Sequence, residues 1–96
     1  MPVERKKIEK SLPRKGFVRH DGHHRYFHHQ YRGKRTGLYA FTSHGSQYKT
    51  YDDSLLRPMK VQLGLDTLQQ VRDLVECPIS GEGYLAILRS KGLIQG

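Results

Sequence analysis

Residues 16–43, GFVRHDGHHRYFHHQYRGKRTGLYAFTS, predict a three-stranded antiparallel sheet. Three stretches are rich in aromatic and other strand-favouring residues, namely 17–20, 23–31 and 38–43. Asp21-Gly22, between the first two stretches, is a strong signal for a short turn, and RGKRTG, between the last two, holds two glycines among charged residues. We therefore expect two consecutive hairpins, the second with an exposed tip.

The sequence on both sides of this stretch predicts helices. Residues 4–14 place Ile8 and Leu12 at helical spacing. Apolar residues recur with a helical period in three later segments. The first is capped by Asp52, Asp53 or Ser54 and ends at Gly64, and the others are bounded by Asp66 and Pro78 and by Ser80 and Gly92. Pro58 lies inside the first of these segments, where its missing amide predicts a bend or a later helix start. The expected order is αβββααα, an α+β fold.

Length and composition restrict the classes of protein. A chain of 96 residues forms one compact domain, which excludes a two-domain enzyme. With 35% hydrophobic residues the core is modest, and an enclosed bulky organic cofactor would compete with it for volume, so we expect no cofactor. The single cysteine, Cys77, has no disulfide partner and no zinc-site spacing, which indicates a reducing compartment. No apolar run approaches the roughly 18 residues of a membrane span, and the charged start is unlike a signal peptide, so we expect a cytoplasmic protein without membrane contact.

The basic charge is concentrated in the first half of the chain. The formal net charge is +8. Residues 1–49 hold twelve basic and three acidic side chains, whereas residues 50–96 hold five and six. Such a one-sided field attracts polyanions, and nucleic acid is the commonest polyanion in the cytoplasm. A solubilising surface and a docking face for an acidic protein are alternatives that composition leaves open.

Five of the six histidines lie between His20 and His29, a density that suggests metal binding. On a strand, however, His24 and His28 share a face but lie about 13 Å apart, too far for one ion. A shared metal site would need a further ligand such as His20 or His44. We expect most of these histidines to lie on a solvated face of the sheet.

Catalysis needs only one of these histidines. An imidazole titrates near neutral pH, so it can take a proton from an RNA 2′-hydroxyl or give one to the leaving 5′-oxygen without a metal. Neighbouring cations would hold phosphate, and a tyrosine would stack on unpaired bases. We expect RNA contacts from Arg19, Arg25, Tyr26, Arg32, Lys34 and Arg35. The chain has no nucleophile elbow, phosphate-cradling glycine loop or zinc ligand quartet.

Part of the chain resembles a toxin family. KGFVRHDGHHRYF, residues 15–27, is similar to the GF…GSHxxF/Y signature of the HicA family, the mRNA-cleaving half of HicA–HicB toxin–antitoxin pairs. FTSHG at 41–45 lies where that family has a second histidine, and LLRPMKVQLGL at 55–65 resembles its closing helix. The resemblance covers residues 5–65. It implies the double-stranded-RNA-binding-domain fold. In this fold the elements follow the order α-β-β-β-α, and the two helices pack on one face of the three-stranded antiparallel sheet. It also implies an acidic HicB-like antitoxin as partner.

The resemblance implies particular catalytic residues. His24 matches the family's catalytic histidine, two positions after the glycine. His23 stands where the family has serine, which leaves open whether His23 or His24 acts, because neighbours on a strand point to opposite faces. His44 matches a supporting or phosphate-binding residue. Strand alternation also places His24 and Phe27 on opposite faces.

The chain departs from the family after Leu65. We divide it into a HicA-like domain, 1–65, and a two-helix extension, 66–96, packed on that domain. The apolar stripes of this extension enlarge the core, form a partner or homodimer interface, or cover the sheet face and block RNA; the chain is then a monomer or a homodimer. The leading prediction is a metal-independent mRNA endoribonuclease. The alternatives are a non-catalytic RNA- or protein-binding module on the same fold and a histidine-rich metal-binding protein.

Overall fold

The structure, a computed structural model, describes residues 2–43, 49–76 and 78–94. This part of the chain contains a three-stranded antiparallel sheet, four helices and a pair of two-residue strands, and the fold is therefore mixed α+β. The elements in chain order are β1 (Val3–Glu4), α1 (Arg5–Ser11), a 3-10 turn (Leu12–Lys15), β2 (Phe17–Asp21), β3 (Arg25–Tyr31), β4 (Lys34–Thr42), β5 (Thr50–Tyr51), α2 (Asp53–Gln62), α3 (Leu68–Glu76) and α4 (Gly81–Ser90).

The three-stranded sheet has the predicted antiparallel order β2–β3–β4, but two strand boundaries differ from the prediction. Strand β3 begins at Arg25 rather than His23, because residues 22–24 form the bend between β2 and β3. Strand β4 begins at Lys34 rather than Leu38. The tip of the second hairpin is only Arg32-Gly33, whose φ angles of 54° and 79° fit a type I′ turn. The predicted RGKRTG loop is therefore mostly strand.

The two faces of the sheet differ in polarity and in what covers them. Phe17, Phe27 and Ala40 are buried against the helices. Residues that alternate with them in register, such as Val18, Tyr26 and Tyr39, are exposed or half-buried on the other side. We call this second side the outer sheet face. In the described chain, it carries no packed helix.

The two C-terminal helices share one core with the rest of the chain. In α3 and α4, Val71, Leu74, Tyr84 and Leu88 are fully buried in the same cluster as Phe27. Polar contacts fasten them as well. The Ser11 hydroxyl donates to the Val75 carbonyl at 2.6 Å, and the Lys7 ammonium contacts the Glu76 carboxylate at 3.0 Å. Their apolar stripes are thus buried on the side of the sheet opposite the outer sheet face.

Helix α2 runs unbroken through Pro58. Asp52 caps its N-terminus by accepting a hydrogen bond from the Leu55 amide at 3.2 Å. Gly64 follows its last turn with a φ of 72°, and a Cβ there would lie 2.7 Å from the Leu93 side chain. Any other residue here would be strained by this left-handed backbone conformation and would also push the Leu93 side chain aside. None of the helices in residues 2–43, 49–76 and 78–94 has the length and apolar character needed to cross a membrane.

Candidate nucleic-acid interface

Aromatic and histidine side chains cover the outer sheet face. Cross-strand pairing places Tyr26 opposite Phe41 and His28 opposite Tyr39. The Tyr26 and His28 rings are nearly parallel, with centroids 6.0 Å apart and an interplanar angle of 20°. Tyr26 and Phe41 have centroids 5.8 Å apart, and His28 and Tyr39 6.2 Å. These four half-buried rings form a continuous surface on which flat ligands can stack.

His24 extends this surface at the end nearest the first hairpin. Its ring stacks on Phe41 with centroids 5.0 Å apart and an interplanar angle of 28°. It meets Tyr26 edge-on at 6.0 Å. Within the described residues, no hydrogen bond reaches the His24 ring nitrogens, so packing fixes the ring while both nitrogens stay available to a ligand.

His23 lies beside His24 rather than on the opposite face. Its ring is exposed and contacts the His24 ring edge-on at 4.9 Å. The expected opposite orientation depended on both residues belonging to one strand, and here both lie in the bend before β3. Two imidazoles thus converge at one end of the outer sheet face.

Basic side chains flank the middle of the outer sheet face. His20 pairs in register with Tyr26, and Arg35 pairs with Gln30, next to His28 on the same face. Burial, followed by the charges of Arg35 and His20, lowers the pKa of His28. Burial and these cations therefore favour the neutral form of the His28 imidazole. Among the strand residues described on this face, none is acidic.

The predicted RNA-binding cations are distributed over three places. Arg25 faces the helices, where it pairs with Glu9 at 2.8 Å, and Glu9 also accepts a 2.7 Å hydrogen bond from Thr42. Arg19 shares that parity and pairs with Asp21 at 2.7 Å. The remaining cations lie nearer the second hairpin: Arg32 at its tip, Lys34 at the start of β4 and Arg35 on the outer sheet face. The structure therefore brings Tyr26 and Arg35 to the face that carries His24, but not Arg19 or Arg25.

Opposing effects act on the pKa of the partly buried Glu9 carboxylate. Desolvation alone would raise the pKa of Glu9. Hydrogen bonds from Thr42 and Arg25, together with the charge of Arg25, nevertheless hold this pKa below its ordinary value of 4.5. Glu9 is thus ionised at neutral pH and fixes Arg25 in place. This arrangement gives Arg25 a structural partner within the fold.

His29 departs from the expectation that the histidines lie on a solvated face. It is 1% exposed, and its Nδ1 lies 2.9 Å from the Thr36 hydroxyl. Its ring packs against Phe17 at 5.0 Å and edge-on against Tyr84 at 5.0 Å. Burial lowers its pKa. The signal in the sequence is parity, because His29 is two residues from Phe27 and so shares its face.

Two residues considered in the sequence, His44 and Cys77, lie outside the described residues. The supporting role of His44 stays a prediction. Across residues 2–43, 49–76 and 78–94, no group of three His, Cys, Asp or Glu side chains is arranged to hold a metal ion. The histidines of the outer sheet face contact aromatic rings instead.

Comparison with known proteins adds no relative. No protein-family model, curated protein or solved structure matches this chain. The resemblance to HicA toxins therefore depends on the motifs around Gly22, His24 and Phe27. In the structure, Phe27 is fully buried beneath the sheet, and His24 lies on the outer sheet face. The two residues that share this motif thus have separate tasks, one in packing and one at the surface.

Proposed function

We propose that the outer sheet face binds single-stranded RNA and that His24 cleaves the bound strand without a metal ion. The observation that carries this proposal is the position of His24, which is stacked on Phe41 at the end of an aromatic surface and has both ring nitrogens available. The HicA resemblance supports the same residue and the same reaction. An mRNA endoribonuclease of the toxin type is the function that both features favour.

RNA binding follows from the composition of the face. Unpaired bases stack on aromatic side chains, and each such stack contributes about 1–3 kcal/mol in nucleic-acid-binding proteins. Tyr26 and Phe41 offer rings of this kind 5.8 Å apart. Arg35 supplies a cation beside them for the phosphate backbone. A duplex would hide its bases from these rings, and single-stranded or weakly paired RNA is therefore the favoured substrate.

The proposed reaction transfers one proton at each end of the scissile linkage. A neutral imidazole takes the proton of the 2′-hydroxyl, whose oxygen forms a bond to the adjacent phosphorus. The bond from phosphorus to the 5′-oxygen breaks, and an imidazolium gives that oxygen its proton. The products are a 2′,3′-cyclic phosphate and a 5′-hydroxyl. We assign one of these roles to His24 and the other to His23, whose ring lies 4.9 Å from the His24 ring.

Two further parts of the proposal come from the same resemblance. Helix α1, the three-stranded sheet and helix α2 follow the α-β-β-β-α order of a double-stranded-RNA-binding domain, which supports that relationship. The excess of basic residues in 1–49 supports an acidic antitoxin of the HicB type as protein partner. Glu9 and Asp21 each neutralise one arginine of this half, and the basic side chains that remain still outnumber the acidic ones.

Cleavage of a labelled single-stranded RNA in excess EDTA tests the proposal. Wild type, His24→Ala and His23→Ala are compared, and circular dichroism confirms that each variant is folded. We expect cleavage by wild type, its loss in His24→Ala and retained RNA binding in that variant. Lys10→Ala, a change at an exposed cation of α1, is the matched control and keeps activity. Cleavage that is equal in wild type and His24→Ala overturns the catalytic assignment.

A non-catalytic RNA-binding module is the second candidate. It is favoured by the fact that four neighbouring rings of the outer sheet face, Tyr26, His28, Tyr39 and Phe41, form a surface without any contribution from His24. Wild-type protein that binds the RNA in a salt-sensitive way but never cleaves it establishes this candidate in place of the enzyme.

A further inference from the structure

Two arginines from distant parts of the chain converge on Tyr31 at the hairpin end of β3. The Arg32 guanidinium carbon lies 5.1 Å from the centroid of the Tyr31 ring, and that of Arg89 in α4 lies 5.7 Å from it. Arg89 also donates a 3.1 Å hydrogen bond to the Tyr31 hydroxyl. The hydrogen bond from Arg89 and the charges of both arginines lower the pKa of the Tyr31 phenol. We call Tyr31, Arg32 and Arg89 the hairpin-end cluster.

No carboxylate in the described chain neutralises these two guanidinium groups. The described ion pairs engage other cations, and Asp66, the acidic residue that precedes α3, pairs with Lys91 at 2.6 Å. Lys34 adds a third positive charge, because it pairs with Tyr31 across the hairpin. Like charges held around one phenol repel each other, and an anion placed between them removes that repulsion.

The side chains of the cluster fit a phosphate group in particular. A guanidinium presents planar, forked N–H donors that match the oxygens of a phosphate, and two such groups can engage different oxygens of one phosphodiester. Arg32 is held at the hairpin tip by the type I′ turn, and Arg89 is held by the packed helix α4. Both donors are therefore prepositioned at moderate entropic cost.

We propose that the hairpin-end cluster binds a backbone phosphate of the RNA whose bases lie on the outer sheet face. This inference rests on the proposed function and extends it. Tyr31 shares the parity of Phe27 and His29, so Tyr31 and Arg89 lie on the helix side of the sheet, at the end of β3 about 23 Å along the strand from His24. An RNA strand that follows β3 along the outer sheet face and turns over the exposed hairpin tip at Arg32 would contact both His24 and this cluster. The C-terminal extension then contributes Arg89 directly to RNA binding, in addition to its part in the core.

Salt dependence of RNA affinity tests the inference. Affinity of a single-stranded RNA oligonucleotide is measured by fluorescence anisotropy between about 50 and 200 mM salt, where each phosphate contact contributes roughly 0.7 to the slope of log affinity against log salt. Loss of one contact in Arg89→Ala lowers that slope by about 0.7. The decrease in affinity between about 50 and 200 mM salt is then roughly threefold smaller in Arg89→Ala than in wild type. Arg89→Lys, which keeps the charge, retains the wild-type slope.

The control variants separate this inference from a purely structural role and from the proposed function. Arg57→Ala removes an exposed arginine of α2 and leaves the slope unchanged. Thermal unfolding of each variant shows whether Arg89 affects only the packing of α4. If Tyr26→Ala weakens binding but Arg89→Ala leaves the slope unchanged, the inference fails and the proposed function stands. If Tyr26→Ala leaves binding unchanged but Arg89→Ala lowers the slope, the outer sheet face is not the binding surface. Absence of RNA binding by wild type overturns both.

Discussion

The Tyr84 hydroxyl donates a 2.7 Å hydrogen bond to the carbonyl oxygen of Leu63, which ties α4 to the end of α2. The Tyr84 ring is fully buried and packs against Phe17 and His29, with centroids 5.5 and 5.0 Å away. One side chain of the C-terminal extension therefore touches both the sheet and the closing helix of residues 1–65. These contacts indicate that residues 66–96 contribute to the stability of the whole fold.

Removal of the Tyr84 hydroxyl measures this connection. Tyr84→Phe keeps the ring and leaves the buried Leu63 carbonyl without its donor, so we expect the free energy of unfolding to fall by about 1–3 kcal/mol. Urea denaturation monitored by circular dichroism gives the value. Tyr26→Phe, which removes a hydroxyl on the outer sheet face, is the matched control and changes stability by less than about 0.5 kcal/mol. Equal losses in both variants would contradict the role of the Leu63 contact.

Buried His29 predicts that acid destabilises the fold. Burial holds its folded-state pKa below the ordinary value of 6.5. Between these two values the unfolded chain binds more protons than the folded chain, so the free energy of unfolding decreases as the pH falls through about 6.5. One such group contributes at most about 1.4 kcal/mol per pH unit. Full stability is present above pH 6.5, and we expect a measurable loss between pH 7.5 and 5.

His29→Gln tests the origin of this pH dependence. An amide keeps a polar contact for Thr36 but does not titrate, so the slope between pH 7.5 and 5 becomes flatter than in wild type. His28→Gln is the comparison: His28 also has a lowered pKa, but it is only half-buried, so we expect a smaller change. The contribution of Glu9 belongs to a lower window, because its depressed carboxyl pKa costs stability only as the pH falls below about 4.5. An unaltered slope in His29→Gln counts against this account.

Removal of the charge is expected to reduce stability at Arg25 and RNA binding at Arg35. Arg25→Met leaves Glu9, which is 14% exposed at its side chain, without its cation, so we expect a loss of about 1–3 kcal/mol in stability. Arg35→Met keeps stability within about 0.5 kcal/mol and weakens RNA binding. Urea denaturation and RNA anisotropy of both variants give the comparison. Weakened RNA binding at unchanged stability in Arg25→Met would show that Arg25 leaves Glu9 to contact RNA.

Periodicity in the sequence was sufficient for the larger elements of the fold. Strand alternation and turn signals predicted β2, β3 and β4, and helical spacing predicted the four helices. Strands β1 and β5 were missed because two residues cannot show a period. The start of β4 was placed too late because Gly37 and the charges of RGKRTG suggested a loop. In the structure, the irregular pairing between His28 and Gln30 accommodates this segment within the strand.

The candidate site was only partly accessible from the sequence. Tyr26 and His24 followed from strand alternation and the motif, because both signals are local. Arg89 was missed because its neighbour Tyr31 is 58 residues away in the chain, and only the packing of α4 brings the two together. Arg25 was predicted to contact RNA because its charge alone does not indicate which face of the sheet it lies on. Its parity with Phe27 places it on the helix side.

Stacking on Tyr26 gives a prediction for RNA affinity that does not depend on cleavage. Tyr26→Ala removes the ring between His28 and Phe41, so we expect a loss of about 1–3 kcal/mol, equivalent to roughly 5- to 150-fold in dissociation constant. His24→Ala serves as the binding-competent background, because it prevents loss of the labelled RNA by cleavage. Tyr26→Phe keeps the π-face and retains most of the affinity.

The outcome of this series distinguishes stacking from charge. Stacking is nearly insensitive to salt, so Tyr26→Ala lowers affinity by a similar factor at about 50 and 200 mM salt, whereas Arg35→Met alters the slope by roughly 0.7. Both effects are read from one anisotropy experiment. If Tyr26→Ala binds as tightly as its parent, the bases do not lie on this ring, and phosphate contacts alone hold the RNA.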